Sequence, residues 1–219
     1  MSNTPGRPSG KARDSETRRS LIREARNLFI EQPYTQVSVR KIARNAGVDA
    51  ALVRYYFGNK ASLFEAVLRE TIEPMVTAFR EALKDKQPDS LEAMTHIYYR
   101  TIISQAPGMP RMVMRILSNP SDTEPFAIMH GVFSRVIDLS REWIQDGLSA
   151  AGLIRDDVDP ELARLSFVSL TLFPLIAPPV LMEKFSFSPT TEQLERLADH
   201  NRKVLSSGIM NLPHSEKTS

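Results

Sequence analysis

Cationic and hydroxyl side chains recur along residues 37–60, among small and apolar residues. The set comprises Ser38, Arg40, Lys41, Arg44, Arg54, Tyr55, Tyr56 and Lys60. Guanidinium, ammonium and hydroxyl groups of this kind bind the phosphate oxygens of nucleic acids. An arginine can also bind guanine through two hydrogen bonds, to O6 and N7. The chemistry indicated is therefore non-covalent binding of a polyanion.

Two short helices joined at a glycine would position these groups. Ser38 is a typical N-cap residue, and apolar residues follow it at helical spacing. Gly47 suits the left-handed backbone that often ends a helix, and Asp49 can cap the next one. We therefore predict a helix-turn-helix whose second helix enters the DNA major groove. A small helical hairpin with a solvated basic face is the alternative.

The side chains of this unit divide into base, phosphate and core positions. For base contacts we predict Arg40, Ala50 and Ala51, since alanine allows close approach and contact with a thymine methyl group. For phosphate contacts we predict Ser38, Arg44, Arg54, Tyr55, Tyr56 and Lys60. Val53 and Phe57 are assigned to the core.

The same stretch resembles a known family. It reads Ser38-Val-Arg-x-Ile-Ala-x-x-Ala-Gly-Val, then six residues, then Tyr-Tyr-Phe-x-Asn-Lys60 and an apolar helix. This pattern is similar to the N-terminal domain of TetR-family transcriptional regulators, over about residues 17–68. The family often has Thr-Leu-Tyr at the middle of the recognition helix, where this chain has Leu52-Val53-Arg54. A cation thus stands in place of a phosphate-binding tyrosine.

The resemblance implies an all-α protein, with an N-terminal three-helix helix-turn-helix domain and a larger C-terminal helical domain. It implies that the C-terminal domain binds a small-molecule effector, which releases the DNA. It also implies a homodimer, formed by the last two long helices at about 159–185 and 190–210. The two helix-turn-helix domains of the dimer, here called heads, would then occupy an imperfect palindrome of double-stranded DNA. We expect a repressor; the alternatives are an activator or effector-independent regulator of this fold, and a helical protein-interaction module.

The chain divides into four predicted segments. They are a disordered basic arm over residues 1–13, the helix-turn-helix domain over 14–60, the C-terminal ligand-binding and dimerisation domain over 61–210, and a polar tail over 211–219. A long helix at about residues 59–86, capped by Asn59 and kinked at Pro74, would link the two domains.

Charge is distributed unevenly along the chain. The net charge is only +2, yet residues 1–60 carry 12 Lys and Arg against 5 Asp and Glu. A basic N-terminal region before an acidic remainder is typical of a protein that meets a polyanion at one end. Three arm cations, Arg7, Lys11 and Arg13, could contact the DNA backbone or minor groove. A solubilising tail without specific contacts is the alternative.

Helix signals continue through the remainder of the chain. Capping residues open several predicted helices: Asp14 or Ser15, Asp89 with Glu92, Ser121 with Glu124, Asp159 with Pro160, and Thr190 with Gln193. The first of these helices should end before Pro33. The helix after Ser121 should end at Gly152, and the helix after Asp159 should run into the 180s.

Residues 165–182 contain no charged side chain, near the lower length limit for a membrane span. Pro174, Pro178 and Pro179 would break the backbone pairing that a lipid-exposed helix must keep. We therefore assign the stretch to the core and the dimer interface, and predict no membrane association. The predicted interface residues are Phe173, Leu175, Leu197 and Val204. One self-complementary patch serves both subunits of a twofold dimer.

Methionine and aromatic residues concentrate between residues 94 and 133. Flexible thioethers beside aromatic rings suit an adaptable apolar pocket, and ordinary packing in a helical core is the alternative. The candidate effector-pocket residues are Met94, Tyr98, Met112, Phe126, Met129, Phe133 and Phe167. Arg111 and Arg115, one turn apart, either pair with an anionic ligand or are solvated. The expected effector is an unidentified, largely apolar small molecule.

Catalytic and metal-binding motifs are absent from the sequence. The four histidines are scattered, and there is no Gly-rich phosphate loop, nucleophile elbow or zinc motif. The chain has no cysteine, which excludes disulfides and thiolate metal sites. We predict no enzymatic activity, no metal and no cofactor; an enzyme that uses the C-terminal cavity is the alternative. No secretory signal opens the chain, so we expect a cytoplasmic protein.

Overall fold

The computed structural model describes residues 10–84, 94–100 and 107–211. Within these ranges the chain is helical, and the only extended pairing is an isolated antiparallel bridge between Ile154 and Met210. The helices are α1 (Gly10–Glu31), α2 (Val39–Asn45), α3 (Ala50–Phe57), α4 (Lys60–Leu83), α5 (94–100), α6 (Met109–Leu117), α7 (Thr123–Arg141), α8 (Pro160–Ile176), α9 (Pro179–Lys184) and α10 (Thr191–Ile209). The predicted all-α class is confirmed. Among the described residues, no helix combines the length and hydropathy that a membrane span requires.

Side-chain caps fix the starts of the short helices, as the sequence predicts. Ser38 Oγ accepts a hydrogen bond from the Lys41 backbone N–H, which begins α2. Asp49 caps α3 through the Ala51 N–H, and Asn59 caps α4 through the Ser62 N–H. Gly47 joins α2 to α3 with φ +68°, a left-handed conformation that only glycine adopts without a steric penalty. These four predictions are confirmed.

The first helix begins earlier than predicted. Residues 10–13 belong to α1, whereas the sequence analysis placed the cap at Asp14 or Ser15 and residues 1–13 in a disordered arm. The reason is that the last helix breakers are Pro8 and Gly10, and the residues that follow favour a helix. The prediction for residues 10–13 is therefore wrong. Arg7, the remainder of the arm, the Asp89–Glu92 capping pair and residues 212–219 lie outside the described residues.

One continuous core joins the N-terminal helices to the middle of the chain. Its fully buried side chains come from α1, α2, α3, α4, α6 and α7, and include Phe29, Val53, Phe64, Met112 and Met129. Helix α4 contributes along its length, from Leu63 to Val76. The predicted domain boundary at residue 60 therefore does not coincide with a break in the packing. The helix-turn-helix and the helices that follow it therefore share side-chain contacts.

The apolar stretch 165–182 forms two helices and not the single helix predicted. Helix α8 ends at Ile176, because Ala177 adopts extended backbone before the pair Pro178–Pro179. Pro174 lies inside α8 and lacks the N–H that would bond to Leu170 O. The buried Asn201 of α10 donates to Leu170 O instead, at 3.2 Å. This hydrogen bond fixes α8 to α10.

Helix α7 departs from its prediction at the start. It begins at Thr123, and Ser121 is not its cap, because the Ser121 hydroxyl donates to Asn119 Oδ1. At its other end α7 continues through a π-helical stretch, Glu142–Ser149. Gly152 follows with φ +69° and ends the helix, as predicted. The caps at Asp159 and Thr190 are also confirmed.

Candidate nucleic-acid interface and effector cavity

Three arginines on α2 and α3 carry unused hydrogen-bonding capacity. Arg40, Arg44 and Arg54 are exposed, and none forms a hydrogen bond or ion pair with the described part of the chain. Each guanidinium offers five N–H donors in a planar fork that matches phosphate and guanine. We call these three residues the arginine face; it can bind an anion without breaking an internal contact.

The other predicted base-contact residues lie at the start of α3. Ala51 is exposed, whereas Ala50 is half-buried and packs against the core. Tyr55, one helical turn further along, has 73% of its surface exposed. Its ring contacts Tyr56 edge to face, at 4.9 Å between centroids. An exposed phenol supported in this way can reach a phosphate without rearrangement of the helix.

Three of the predicted phosphate-contact side chains, Ser38, Tyr56 and Lys60, already have partners. Ser38 Oγ accepts the capping bond of α2, so its hydroxyl proton remains available to donate. The Tyr56 hydroxyl donates to Asp14 of α1, and this hydrogen bond raises the pKa of Tyr56 to about 12. Their predicted roles remain predictions. The Tyr56 hydroxyl would have to break its hydrogen bond with Asp14 in order to donate to a phosphate.

Lys60 serves the fold in a way that the sequence does not indicate. Its ammonium group donates to Tyr34 O at 3.1 Å and to Val37 O at 3.3 Å. It also lies 3.9 Å from the centroid of the Tyr34 ring, a cation–π contact. The predicted phosphate contact by Lys60 would compete with these three interactions. We therefore assign Lys60 to holding the α1–α2 connection on the start of α4.

The arm cations differ in where they lie. Lys11 and Arg13 are on α1, so they belong to a helix and not to a flexible arm. The side chain of Arg13 is exposed, and Arg13 O accepts a hydrogen bond from Thr17 Oγ1. Any contact that Arg13 makes with DNA therefore depends on the orientation of α1.

A cavity with about 780 Å³ of empty space, part of it open to solvent, lies among the C-terminal helices. The predicted pocket residues Tyr98, Phe133 and Phe167 line it. The other lining residues are Ile72, Met75, Phe79, Met109, Pro110, Val113, Met114, Val136, Ile137, Ser140, Val168, Thr171 and Leu172. Burial raises the pKa of Tyr98, so its phenol stays protonated at physiological pH.

Four predicted pocket residues are not on the cavity wall. Met112 and Met129 are fully buried in the main core, and Phe126 packs against it. Met94 lies in a separate core with Trp143 and Leu205. These residues are packing residues, which was the stated alternative. Met75 and Val136 line the cavity and were not predicted, because the density of methionines in the sequence does not tell which side of a helix faces a cavity.

Helix α6 connects this cavity to the end of α1. Met109, Pro110, Val113 and Met114 of α6 line the cavity. On the same helix, the Arg115 guanidinium donates to Phe29 O at 2.8 Å and to Gln32 O at 3.1 Å. Arg115 thus satisfies carbonyls that the end of α1 leaves unpaired. From the sequence, an anionic ligand or solvent was expected for this side chain; it is exposed, and its contacts with the end of α1 were not predicted.

Gly108 and Tyr34 also contribute to the contacts that α6 and α7 make with the N-terminal helices. A Cβ at Gly108 would lie 2.2 Å from Ile30 Cγ2, so only glycine lets α6 start this close to α1. The Tyr34 hydroxyl donates to Glu124 Oε2 at 2.6 Å, across 90 residues of sequence. Its ring packs against Phe29 and Phe64, with centroids 5.6 Å and 5.2 Å away. The helix-turn-helix is therefore held to both α6 and α7.

Exposed apolar side chains run along α8 and continue on α9 and α10. Two predicted interface residues are among them, Phe173 with 47% of its surface exposed and Val204 with 48%. Leu197 is half-buried, whereas Leu175 is buried beside Tyr99 and Leu194 in the same chain. Leu175 is therefore not available to a partner. The other exposed members are Leu162, Leu165, Leu170, Val180, Leu181 and Phe185.

Within the described ranges, no group of three or more His, Asp or Glu side chains is placed to hold a metal ion. Arg155 and Asp157 form an ion pair at 2.6 Å in the acidic turn before α8, and this pairing lowers the pKa of the Asp157 carboxyl. Asp159 of the same turn caps α8. These carboxylates therefore have structural partners.

Fold and site together define a helix-turn-helix protein with a cationic head and an apolar cavity in its C-terminal helices. Residues 21–67 match the family model described as "Bacterial regulatory proteins, tetR family". Over this stretch the chain is similar to that family, and the match covers α2, α3, the second half of α1 and the first third of α4.

Two curated relatives match part of the chain. The HTH-type transcriptional regulator BetI 2 of Chromohalobacter salexigens is 36% identical over 32% of this chain and 36% of its own length. The HTH-type transcriptional regulatory protein RaaS of Mycobacterium tuberculosis is 30% identical over 62% of this chain and 58% of its own length. Both matches thus cover less than two thirds of the relative.

The whole fold is also found in solved structures. The transcriptional regulator FadR of Bacillus subtilis, solved in complex with stearoyl-CoA, superposes with a TM-score of 0.64. The alignment covers 87% of this chain and 98% of that one, at 18% sequence identity. At this identity the likeness shows a common fold.

The structural role of Lys60 can be tested against the arginine face. We expect Lys60→Ala to lower the free energy of unfolding by about 2 kcal/mol, because it removes two charge-assisted hydrogen bonds and a cation–π contact. Arg44→Ala should change it by less than about 0.5 kcal/mol, since Arg44 has no described partner. Urea unfolding measures both.

Lys60→Met provides a second variant, which keeps the apolar stem and removes the charge. It should lose most of the same stability, because the hydrogen bonds are gone. If Lys60→Ala unfolds like the wild type and weakens DNA binding as much as Arg44→Ala, the predicted phosphate role of Lys60 is correct and the structural one is wrong.

Proposed function

We propose that this protein is a homodimeric, sequence-specific DNA-binding transcriptional regulator that a small apolar effector releases from its operator. The observation that carries the proposal is the arginine face. Arg40, Arg44 and Arg54 are exposed and unpartnered, on the two helices that a helix-turn-helix presents to DNA. Lys41, by contrast, donates to Gln32 Oε1, and Lys60 to backbone carbonyls. The cations left free are those suited to an external anion.

The proposed division of labour on DNA follows from side-chain chemistry. Arg40, on the first turn of α2, is assigned to a guanine edge, because its fork can make two hydrogen bonds there. Ala50 and Ala51, at the start of α3, allow close approach to the groove. Arg44, Arg54, Tyr55 and Ser38 are assigned to phosphates. Base reading is thus shared between α2 and the start of α3.

Dimerisation through α8 and α10 is proposed from their exposed apolar side chains. Phe173 and Val204 are each about half exposed, which is unfavourable for large apolar side chains in water. A second copy of the same surface would cover them in a self-complementary interface. Two heads fixed in this way would bind half-sites related by the same twofold axis.

Release by an effector is proposed from the position of α6. Met109, Pro110, Val113 and Met114 line the cavity, while Arg115 of the same helix holds the end of α1. A ligand that binds more tightly when α6 shifts would also move α1 and, with it, the head. The related fold that binds stearoyl-CoA supports a ligand site among these helices. Occupation of promoter DNA would make the protein a repressor.

DNA binding is tested with a duplex selected from a random-sequence pool. The logarithm of the binding constant should fall linearly with the logarithm of the salt concentration, because each phosphate contact releases counterions. Arg44→Ala should weaken all duplexes alike and reduce the magnitude of the slope by about one per protomer. Arg40→Ala should lose about 1–3 kcal/mol of discrimination against a substituted base pair. Fluorescence anisotropy measures these quantities.

Arg141→Ala is the matched control for the DNA measurement. Arg141 is also exposed and unpartnered among the described residues, but it lies at the end of α7, so the salt slope should not change. Selection of no preferred sequence would refute the operator, and equal effects of the Arg40 and Arg44 variants would refute their separate roles.

The proposed dimer is tested with Phe173→Glu on α8. A charge at the centre of an apolar interface would be buried without a partner, so we expect dissociation to a species of the 24.7 kDa chain mass. Sedimentation velocity measures the mass, and Ala127→Glu, at an exposed position of α7, is the control. A wild-type monomer, or a Phe173→Glu variant that stays dimeric, would contradict the proposed interface.

A further inference from the structure

The described part of the cavity wall contains very little polarity and no charged side chain. Among the described lining residues, only Tyr98, Ser140 and Thr171 carry a side-chain oxygen that can form hydrogen bonds, and none is ionised at neutral pH. The remaining lining residues are aliphatic, aromatic or methionine. A ligand that enters this cavity therefore exchanges water for an apolar wall with a small number of polar points.

Thr171 differs from the other two polar residues of the cavity wall, because its hydroxyl is buried without a hydrogen-bond partner among the described residues. It lies on α8 with only 5% of its surface exposed, and Thr171 Oγ1 has no hydrogen-bond partner in the described part of the chain. A buried hydroxyl without a partner is costly, so each such group in a native protein calls for an explanation. For Thr171, a partner supplied by a bound molecule is the explanation that the cavity offers.

Thr71 shows what a buried threonine in a helix does when it serves packing alone. It lies on α4 with 2% of its surface exposed, and its hydroxyl donates to Val67 O, four residues earlier, at 2.7 Å. Thr71 does not line the cavity. Thr171 has the same helical setting but does not make this local bond. Its hydroxyl is thus left able both to donate and to accept.

The other two polar side chains are less available. The Ser140 hydroxyl already donates to Ile137 O at 2.6 Å, so it can only accept from a ligand. Tyr98 lies on α5, and its hydroxyl offers one further donor. None of the three can neutralise a carboxylate or phosphate that is buried among them. Burial of an unpaired ion in such a wall is strongly unfavourable.

From these observations we infer that the cavity is selective for an uncharged, largely apolar molecule with one hydroxyl or carbonyl oxygen, and that Thr171 is the residue that recognises this oxygen. The inference rests on the proposed effector role of the cavity and names the chemical class of its ligand. An apolar body would fill the space between α4, α6, α7 and α8. Its oxygen would complete the unfilled hydrogen bond of Thr171.

The test compares octanol with octanoate, which share a chain and differ in charge. The only tryptophan, Trp143, reports occupancy, because its ring is 4.8 Å from the ring of the cavity residue Phe167. Tryptophan fluorescence and titration calorimetry are recorded on the full-length protein. We expect octanoate to bind at least about tenfold more weakly than octanol, because no described residue of the cavity wall carries a charge that could pair with the carboxylate.

Thr171→Val keeps the shape of the side chain and removes the hydroxyl. We expect it to weaken octanol binding about tenfold, the loss of one buried hydrogen bond. Thr171→Ser should restore most of the affinity, and Thr71→Val, the matched control, should leave it unchanged. The valine variant should fold at least as well as the wild type, since it removes a hydroxyl that has no partner in the free protein.

The outcomes separate this inference from the proposed function. Equal octanol affinity in the wild type and Thr171→Val, or tighter binding of octanoate, would overturn the assignment of Thr171 and of the ligand class. Binding of neither probe to the wild type would overturn this inference together with the effector site. The expected octanol pattern in a protein that selects no DNA sequence would support the inference and refute the DNA-binding function.

Discussion

The two helices that carry the arginine face are too short to be stable by themselves, and this constraint governs the rest of the structure. Helix α2 has 7 residues and α3 has 8, whereas isolated helices shorter than about 12–15 residues are marginal in water. Their caps at Ser38 and Asp49 supply local stability. Burial of Ile42, Ala43 and Val53 against α1 and α4 supplies the remainder. The orientation of the head is thus set by its neighbours.

Those neighbours are also attached to the C-terminal helices. Tyr34 joins the α1–α2 connection to α7 through Glu124, and Arg115 joins α6 to the carbonyls at the end of α1. Helix α6, which lines the cavity, therefore contacts α1, on which the helix-turn-helix packs. This arrangement explains how a small molecule among α4, α6, α7 and α8 could alter binding at the other end of the chain without touching it.

Local signals in the sequence predicted the elements well, and contacts distant in sequence were not predictable in the same way. Ser38, Gly47, Asp49 and Asn59 act within a few residues of themselves, so their roles follow from spacing. Lys60 was assigned to DNA because it lies in a basic motif, yet its partners are carbonyls 23 and 26 residues away. No pattern near Arg115 indicates that its partners lie more than 80 residues earlier. Likewise, only the packing separates Met112, in the core, from Met109, which also lines the cavity.

Hydrogen exchange with and without the selected duplex would test most directly whether the arginine face is the DNA-binding surface. Amide exchange is read by mass spectrometry along the chain, which requires no substitution. Bound DNA should slow exchange over residues 38–57, where the short helices open most easily, and leave the surface of α8 unchanged. Protection confined to other helices, with residues 38–57 exchanging as in the free protein, would contradict the account.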